Sequence, residues 1–288
     1  MPNPILNDKA FEAAGGGGVA VLDRPDPAAP ATQPGPTTSK YGVTAPPWDT
    51  SEHRTMTIGG TCSAAGVMIV FLAVGAAFGW GRVTEITQTL AHGATQVDVH
   101  LSNPGWLIAG LLVGFGLAIL TSFKPKVARY TAIPYSLCEG FVLGMISHLI
   151  DAQYKGVAIE AVLATVGVFA VMLLLYGLRI LRATPKFVKG VTAAMFGILA
   201  IYLVQIVSNL FGSTTNNFTS SSALSIGFSL VVVTVAALRL VIDFDLIERG
   251  AKQGAPRYME WYAAFGLIVG VVWLYIELLS LLAKLQRR

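Results

Sequence analysis

Charge is what this chain has least of. Aspartate, glutamate, lysine and arginine make up 12% of its 288 residues, about half the usage of an ordinary soluble domain. So few charges cannot cover the water-facing surface of a fold this long, which excludes an ordinary soluble protein. Cysteine is scarce as well. Cys62 and Cys138 both fall in apolar stretches with no C-x-x-C or related spacing, so they read as small buried apolar residues rather than metal ligands. Catalytic signatures are missing: there is no H-E-x-x-H, no G-x-S-x-G and no glycine-rich loop followed by Lys-Ser or Lys-Thr. The expectation is a protein that is not an enzyme and carries no cofactor. Its net charge of +4 and isoelectric point near 9.1 come from basic residues scattered through short loops. No basic block with interleaved aromatics tracks a phosphate backbone, so nucleic acid is not an expected partner.

What is present is apolar surface. Hydrophobic residues make up 54% of the chain and the mean hydropathy is +0.63. Long apolar runs recur from Met56 to Leu285, several of them beyond the ~18–20 residues needed to cross a bilayer core as a helix. Short alternating strands of the barrel type are not seen. The pattern predicts an all-α membrane protein with seven spans, at about 57–80, 104–122, 130–150, 157–179, 188–211, 222–243 and 259–283. Punctuation separates them: Asn103-Pro104 opens the second span, Lys124-Pro125 closes it and Thr184-Pro185 precedes the fifth. Glycines inside the spans, as in "GFVLG" of the third, suit backbones in close approach.

Residues 1–55 differ in kind. "AAGGGGVAVLDRPDPAAPATQPGPTTSKYGVTAPPW" is rich in Gly, Pro, Ala and Thr without a periodic apolar face, which predicts a disordered, solvated tail. Its one apolar stretch, "GVAVL", is too short for a secretory h-region. The membrane domain is expected over 56–288. Basic residues alternate between loops: Lys124, Lys126 and Arg129, then Arg182, Lys186 and Lys189, then Arg249, Lys252 and Arg257. By the positive-inside rule these loops and the amino terminus are cytoplasmic. The basic end "KLQRR" then falls on the outer side if the last span crosses fully.

Ionisable groups within spans are costly, and they face a cavity, a partner or an ion path. Glu139 lies about mid-way along the third span. Arg239 and Asp243 are four residues apart in the sixth, as are Asp245 and Arg249, the spacing of helical ion pairs. Asp243 and Asp245 point roughly 200° apart, so at most one faces the interior. Glu260 opens the last span and Glu277 lies near its carboxy-terminal end. Full crossing would leave only Glu260 able to approach the Asp243–Asp245 level. Each acid also has a bland reading, as a local ion pair at a helix end or a hydrogen-bonded lock between helices.

Three stretches carry a resemblance: "FKPKVARYTAIPYSLCEGFVLGMISHLI", "LYGLRILRATPKFVKGVTAAMFGILAIYLV", and the run from "GFSLVVVTVAALRLVIDFDLIERG" to the carboxy terminus. Together they resemble the bacterial branch of the Bax inhibitor family, the transmembrane Bax-inhibitor-motif proteins, over roughly 57–285. The most specific part starts at 223, and the tail lies outside it. The resemblance implies a seven-helix bundle with the last helix central, and for some members a pH-sensitive calcium leak. It implies an acid pair, one aspartate ending the sixth helix and one in the seventh. Phe244-Asp245 matches the first, with Asp243 as the alternative if the register shifts. The second position falls on Phe265 to Val269, which has no carboxylate. That leaves Glu139 or Glu260 to stand opposite Asp245, or no gate at all.

Two close carboxylates share a proton at low pH and repel when both are ionised, which is enough to move helices. Calcium prefers six to eight oxygens, so Asp243 and Asp245 suit transient contact rather than storage. The leading expectation is a pH-sensitive cation leak of the calcium type, with calcium and protons as its small partners. The alternative is a non-conducting regulator that binds membrane proteins such as quality-control proteases. Acids along a wet path would support the first. Acids satisfied by Arg239 and Arg249 in a dry core would support the second.

Overall fold

The structure, a computed structural model, describes residues 55–89, 95–101, 104–211 and 222–287. The tail expected over 1–55 lies outside the described residues except for Thr55. Seven helices follow: α1 (Ile58–Trp80), α2 (Pro104–Phe123), α3 (Ala128–Asp151), α4 (Val157–Gly177), α5 (Pro185–Leu210), α6 (Ala223–Lys252) and α7 (Tyr258–Gln286). All seven are long and apolar enough to cross a membrane. The chain is a multi-pass membrane protein, as its composition predicts. Two antiparallel strands, β1 (Val83–Thr89) and β2 (Thr95–Leu101), pair from Val83↔Leu101 to Thr89↔Thr95. They fill what the hydropathy pattern leaves as a loop.

Local chemistry sets the helix ends. Thr57, Thr184 and Ser222 each accept a hydrogen bond from a first-turn amide (Gly60, Phe187 and Ser225), and Pro185 stands at the start of α5. Asp151 does this for α4 from a distance, accepting from Gly156 N at 3.0 Å and Ala158 N at 3.1 Å. Gly156 itself adopts φ +90, a left-handed turn that a side chain would strain.

The sixth helix is the main departure from the predicted spans. It continues to Lys252 rather than ending near 243. Hydropathy drops at "DFDLIERG", but three four-residue ion pairs, Arg239–Asp243, Asp245–Arg249 and Glu248–Lys252, carry the helix through the charged stretch. Its 30 residues span ~45 Å, well beyond a hydrocarbon core of ~30 Å.

The core gathers around α7, the most buried of the seven helices. It packs against α1, α3, α4 and α6, while α2 lies outward on α3 and α5 lies outward on α6. The α1–α3 seam is the tightest. A Cβ on Gly140 or Gly144 would sit 2.0 Å from the carbonyl oxygen of Leu72 or Ala76, and one on Gly79 2.0 Å from that of Phe141. These glycines let the two backbones touch, as "GFVLG" suggests. α7 crosses the bundle fully. Its first turn meets Thr57 ahead of α1, and Arg287 just past its end donates to Tyr154 Oη in the α3–α4 connection. Lys284 and Arg287 of the basic end therefore lie across the bundle from Thr57.

Candidate functional site

Asp243 is the acid that α6 turns inward. It is 4% exposed, and its Oδ1 accepts from Arg239 Nε at 3.3 Å and Nη2 at 3.1 Å. Its Oδ2 has no partner and is buried. Across the interface stands Gly270 of α7, where a Cβ would come within 2.9 Å of Oδ2. A side chain at 270 would press on the carboxylate and make it shift, so the glycine leaves room for it. An orphaned buried carboxylate oxygen is costly, and such groups mark strain or function.

Beside the pair lies a cavity of about 490 Å³ between α5, α6 and α7, with Thr192, Met195, Tyr202, Arg239, Asp243 and Trp273 among its lining. Its wall is mostly apolar, and Arg239 and Asp243 are its charged groups. Arg239 also directs Nη1 at the sulfur of Met195, 3.8 Å away on α5.

Asp245 turns away from this cavity. It pairs with Arg249 at 2.7 Å, and Arg249 also donates to the carbonyl of Ala183 at 3.1 Å. Glu248 pairs with Lys252 and accepts a short hydrogen bond from the Tyr176 hydroxyl. The charged run at the end of α6 thus fastens it to α4 and to the α4–α5 connection. Phe244, between the two aspartates, packs edge-on against Phe169 and tilts against Tyr176.

The remaining acids are not brought to Asp243. Glu139 is half-buried on α3, hydrogen-bonded to nothing among the described residues, and faces α2 at Gly114, where a Cβ would lie 3.4 Å from its Oε2. Glu260 does not approach the Asp243–Asp245 level, contrary to the reading from helix ends. Its Oε1 accepts from Thr57 N at 3.0 Å and Thr57 Oγ1 at 2.9 Å, with Arg257 3.9 Å from Oε2. The register explains this: Gly270, ten residues further along α7, is the residue that meets Asp243. Glu277 is 6% exposed, and its Oε1 accepts from Tyr202 Oη at 2.6 Å and Trp273 Nε1 at 3.2 Å.

Sequence reasoning misses Tyr202 and Trp273. The spacing Trp273–Glu277, four residues apart on one helix, is the available signal; nothing in the sequence links Tyr202 to either. On α5, Gln205 is half-buried and Asn209 is exposed. Among the described residues no three His, Cys, Asp or Glu side chains converge as a metal site.

A family model described as Bax inhibitor 1 like matches residues 3–287. That span reaches further toward the amino terminus than the 57–285 over which the motifs show the resemblance. An uncharacterized protein of Deinococcus radiodurans is 24% identical over 220 residues, which is 68% of this chain and 92% of the relative. No solved structure matches.

Proposed function

Because the chain belongs to the Bax inhibitor 1 like family, we propose that it is a pH-sensitive cation leak of the calcium type whose gate is the Arg239–Asp243 pair. The observation that carries this reading is the unpartnered Oδ2 of Asp243, buried beside the three-helix cavity. A guanidinium bound at one carboxylate oxygen leaves the other free for a second cation or a proton. Protonation of Asp243 removes most of its attraction for Arg239, and an arriving cation competes for the same carboxylate. Either event frees Arg239 to move, and the cavity changes shape with it. No cage of six to eight oxygens surrounds Asp243, so a calcium ion would pass with part of its water shell.

The same reading puts the amino-terminal side in the cytoplasm of a bacterial inner membrane. Thr57 meets Glu260, and Arg249 meets Ala183. The start of α1 and two of the basic connections therefore share one end of the bundle, as the positive-inside pattern requires.

A second reading has its own support. Both aspartates of the "DFD" motif pair with an arginine one turn away, and the residue opposite Asp243 is Gly270 rather than an acid. This favours a non-conducting regulator that engages other membrane proteins.

Calcium flux into proteoliposomes from about pH 5 to pH 8 separates the two. A pH-dependent flux that Asp243→Asn or Arg239→Gln alters, and Asp245→Asn leaves alone, supports the leak. Absence of flux from oriented, reconstituted wild type overturns it and leaves the regulator.

A further inference from the structure

The cavity beside Asp243 has a polar end and an apolar end. Arg239 and Asp243 form the first, with Met195 against the guanidinium. Tyr202 stands two turns along α5 from Met195, ~10 Å further in. The polar hydrogens of Tyr202 and Trp273 are engaged on Glu277, so this deeper end meets a ligand with ring surface. Phe196, Leu199 and Leu246 also line the cavity and are exposed, so in a bilayer its mouth between α5 and α6 opens onto lipid. Its volume of about 490 Å³ lies within the ~300–1,000 Å³ of small-molecule sites.

The ion pair offers this cavity an acceptor and a donor. Arg239 holds Asp243 Oδ1 through Nε and Nη2, and Oδ2 is buried without a partner. Nη1 of Arg239 is directed at the Met195 sulfur, 3.8 Å away, and a thioether is a weak acceptor. A hydroxyl group matches both: its hydrogen goes to Oδ2, and its oxygen accepts from Nη1 in place of the sulfur. A resident carboxylate would face Asp243 and a resident ammonium would face Arg239. Either would leave a net charge against an apolar wall, which is costly; a cation passing through bears that cost only in transit. An uncharged hydroxyl on an apolar body avoids it.

We propose that the three-helix cavity binds an uncharged membrane lipid with a free hydroxyl, of the diacylglycerol type. The hydroxyl sits between Asp243 Oδ2 and Arg239 Nη1, and the chains leave past Phe196 and Leu199 into the bilayer. The binding stands on this geometry. Its consequence rests on the leak reading: the lipid occupies the oxygen that an arriving cation would use, so it closes the leak.

The test is photocrosslinking of the full-length protein in phosphatidylcholine liposomes with a diacylglycerol that carries a diazirine in one chain, mapped by peptide mass spectrometry. Adducts should concentrate on the cavity residues of α5 and α6. Unlabelled diacylglycerol should compete at least about tenfold better than its methyl ether, which keeps the oxygen but cannot donate to the carboxylate. In Asp243→Asn the amide oxygen takes the arginine and the amide nitrogen faces the cavity, so this preference should disappear. Leu199→Trp, which fills the mouth, should reduce the adducts whatever the competitor. If Asp243→Asn fails to fold, the wild-type competition and Leu199→Trp decide. Adducts spread evenly over the outward faces of α2, α4 and α5, or equal competition by the alcohol and its ether in wild type, overturn the proposal. Lipid bound with this preference in a protein without calcium flux overturns the leak and leaves this site standing.

Discussion

Replacing Gly144 by alanine should force the first and third helices apart. The added Cβ would lie 2.0 Å from the carbonyl oxygen of Ala76, and ordinary contact begins near 3.4 Å. The backbones must therefore part by roughly 1.4 Å at that crossing, the difference of the two distances. Neither neighbour can yield by turning a side chain, because the obstruction is backbone. The gap spreads to Gly75, Gly79 and Gly140, whose added Cβ atoms would also lie 2.0–2.3 Å from carbonyl oxygens of the facing helix. Opening a packed contact by 0.5–1 Å forfeits about a quarter to a half of its dispersion energy, and overpacking a well-filled site costs about 1–3 kcal/mol. Inside a bilayer there is no hydrophobic effect between helices to compensate. Alanine's better helix propensity returns about 1 kcal/mol, and that gain can be measured separately. A Cβ added at Gly66 or Gly167 would meet nothing within 4 Å, so their alanine variants report propensity alone. The propensity gain cancels between Gly144→Ala and Gly66→Ala, so their expected difference is about 1–3 kcal/mol, read as unfolding midpoints in a detergent titration. Equal midpoints would refute the claim that backbone contact holds this seam.

Two further outcomes follow from the ion pairs. Arg239→Gln leaves a buried carboxylate without its cation and should destabilise by about 3 kcal/mol, while Arg239→Gln with Asp243→Asn should recover much of that loss; a thermal-stability double-mutant cycle checks the coupling. Asp245→Asn acts on a pair whose arginine is mostly exposed, with side chains 57% and 20% accessible. Its cost should stay within about 1 kcal/mol in the same assay, and a loss as large as that for Arg239→Gln would contradict the exposed geometry.

Periodicity and hydropathy made the seven helices legible, because a span must satisfy its own backbone and therefore shows as a long apolar run. The pairs Arg239–Asp243 and Asp245–Arg249 were legible from four-residue spacing. The choice between the two aspartates was not: spacing says that they diverge but not which one finds the bundle. That depends on the register of α6 against α7, fixed by Gly270 meeting Asp243 and Ser229 meeting Lys284. The length of α6 was hidden for a related reason. Hydropathy sees charges as an exit from the membrane, whereas paired charges can extend a helix past it. The link from Tyr202 to Glu277 joins residues 75 positions apart and leaves no local trace.

Glu260 and its surroundings have a mechanical consequence. Thr55 bridges Pro256, Met56 N donates to the carbonyl of Ala255 at 2.6 Å, and Thr57 hangs on the Glu260 carboxylate. A pull on the amino-terminal leader is therefore delivered to the first turn of the innermost helix as well as to α1. Ligands or fused reporters upstream of Thr55 have a handle on the centre of the bundle. A shortened chain that begins at Ile58 keeps every span but drops the handle, while one that begins at Thr55 keeps both.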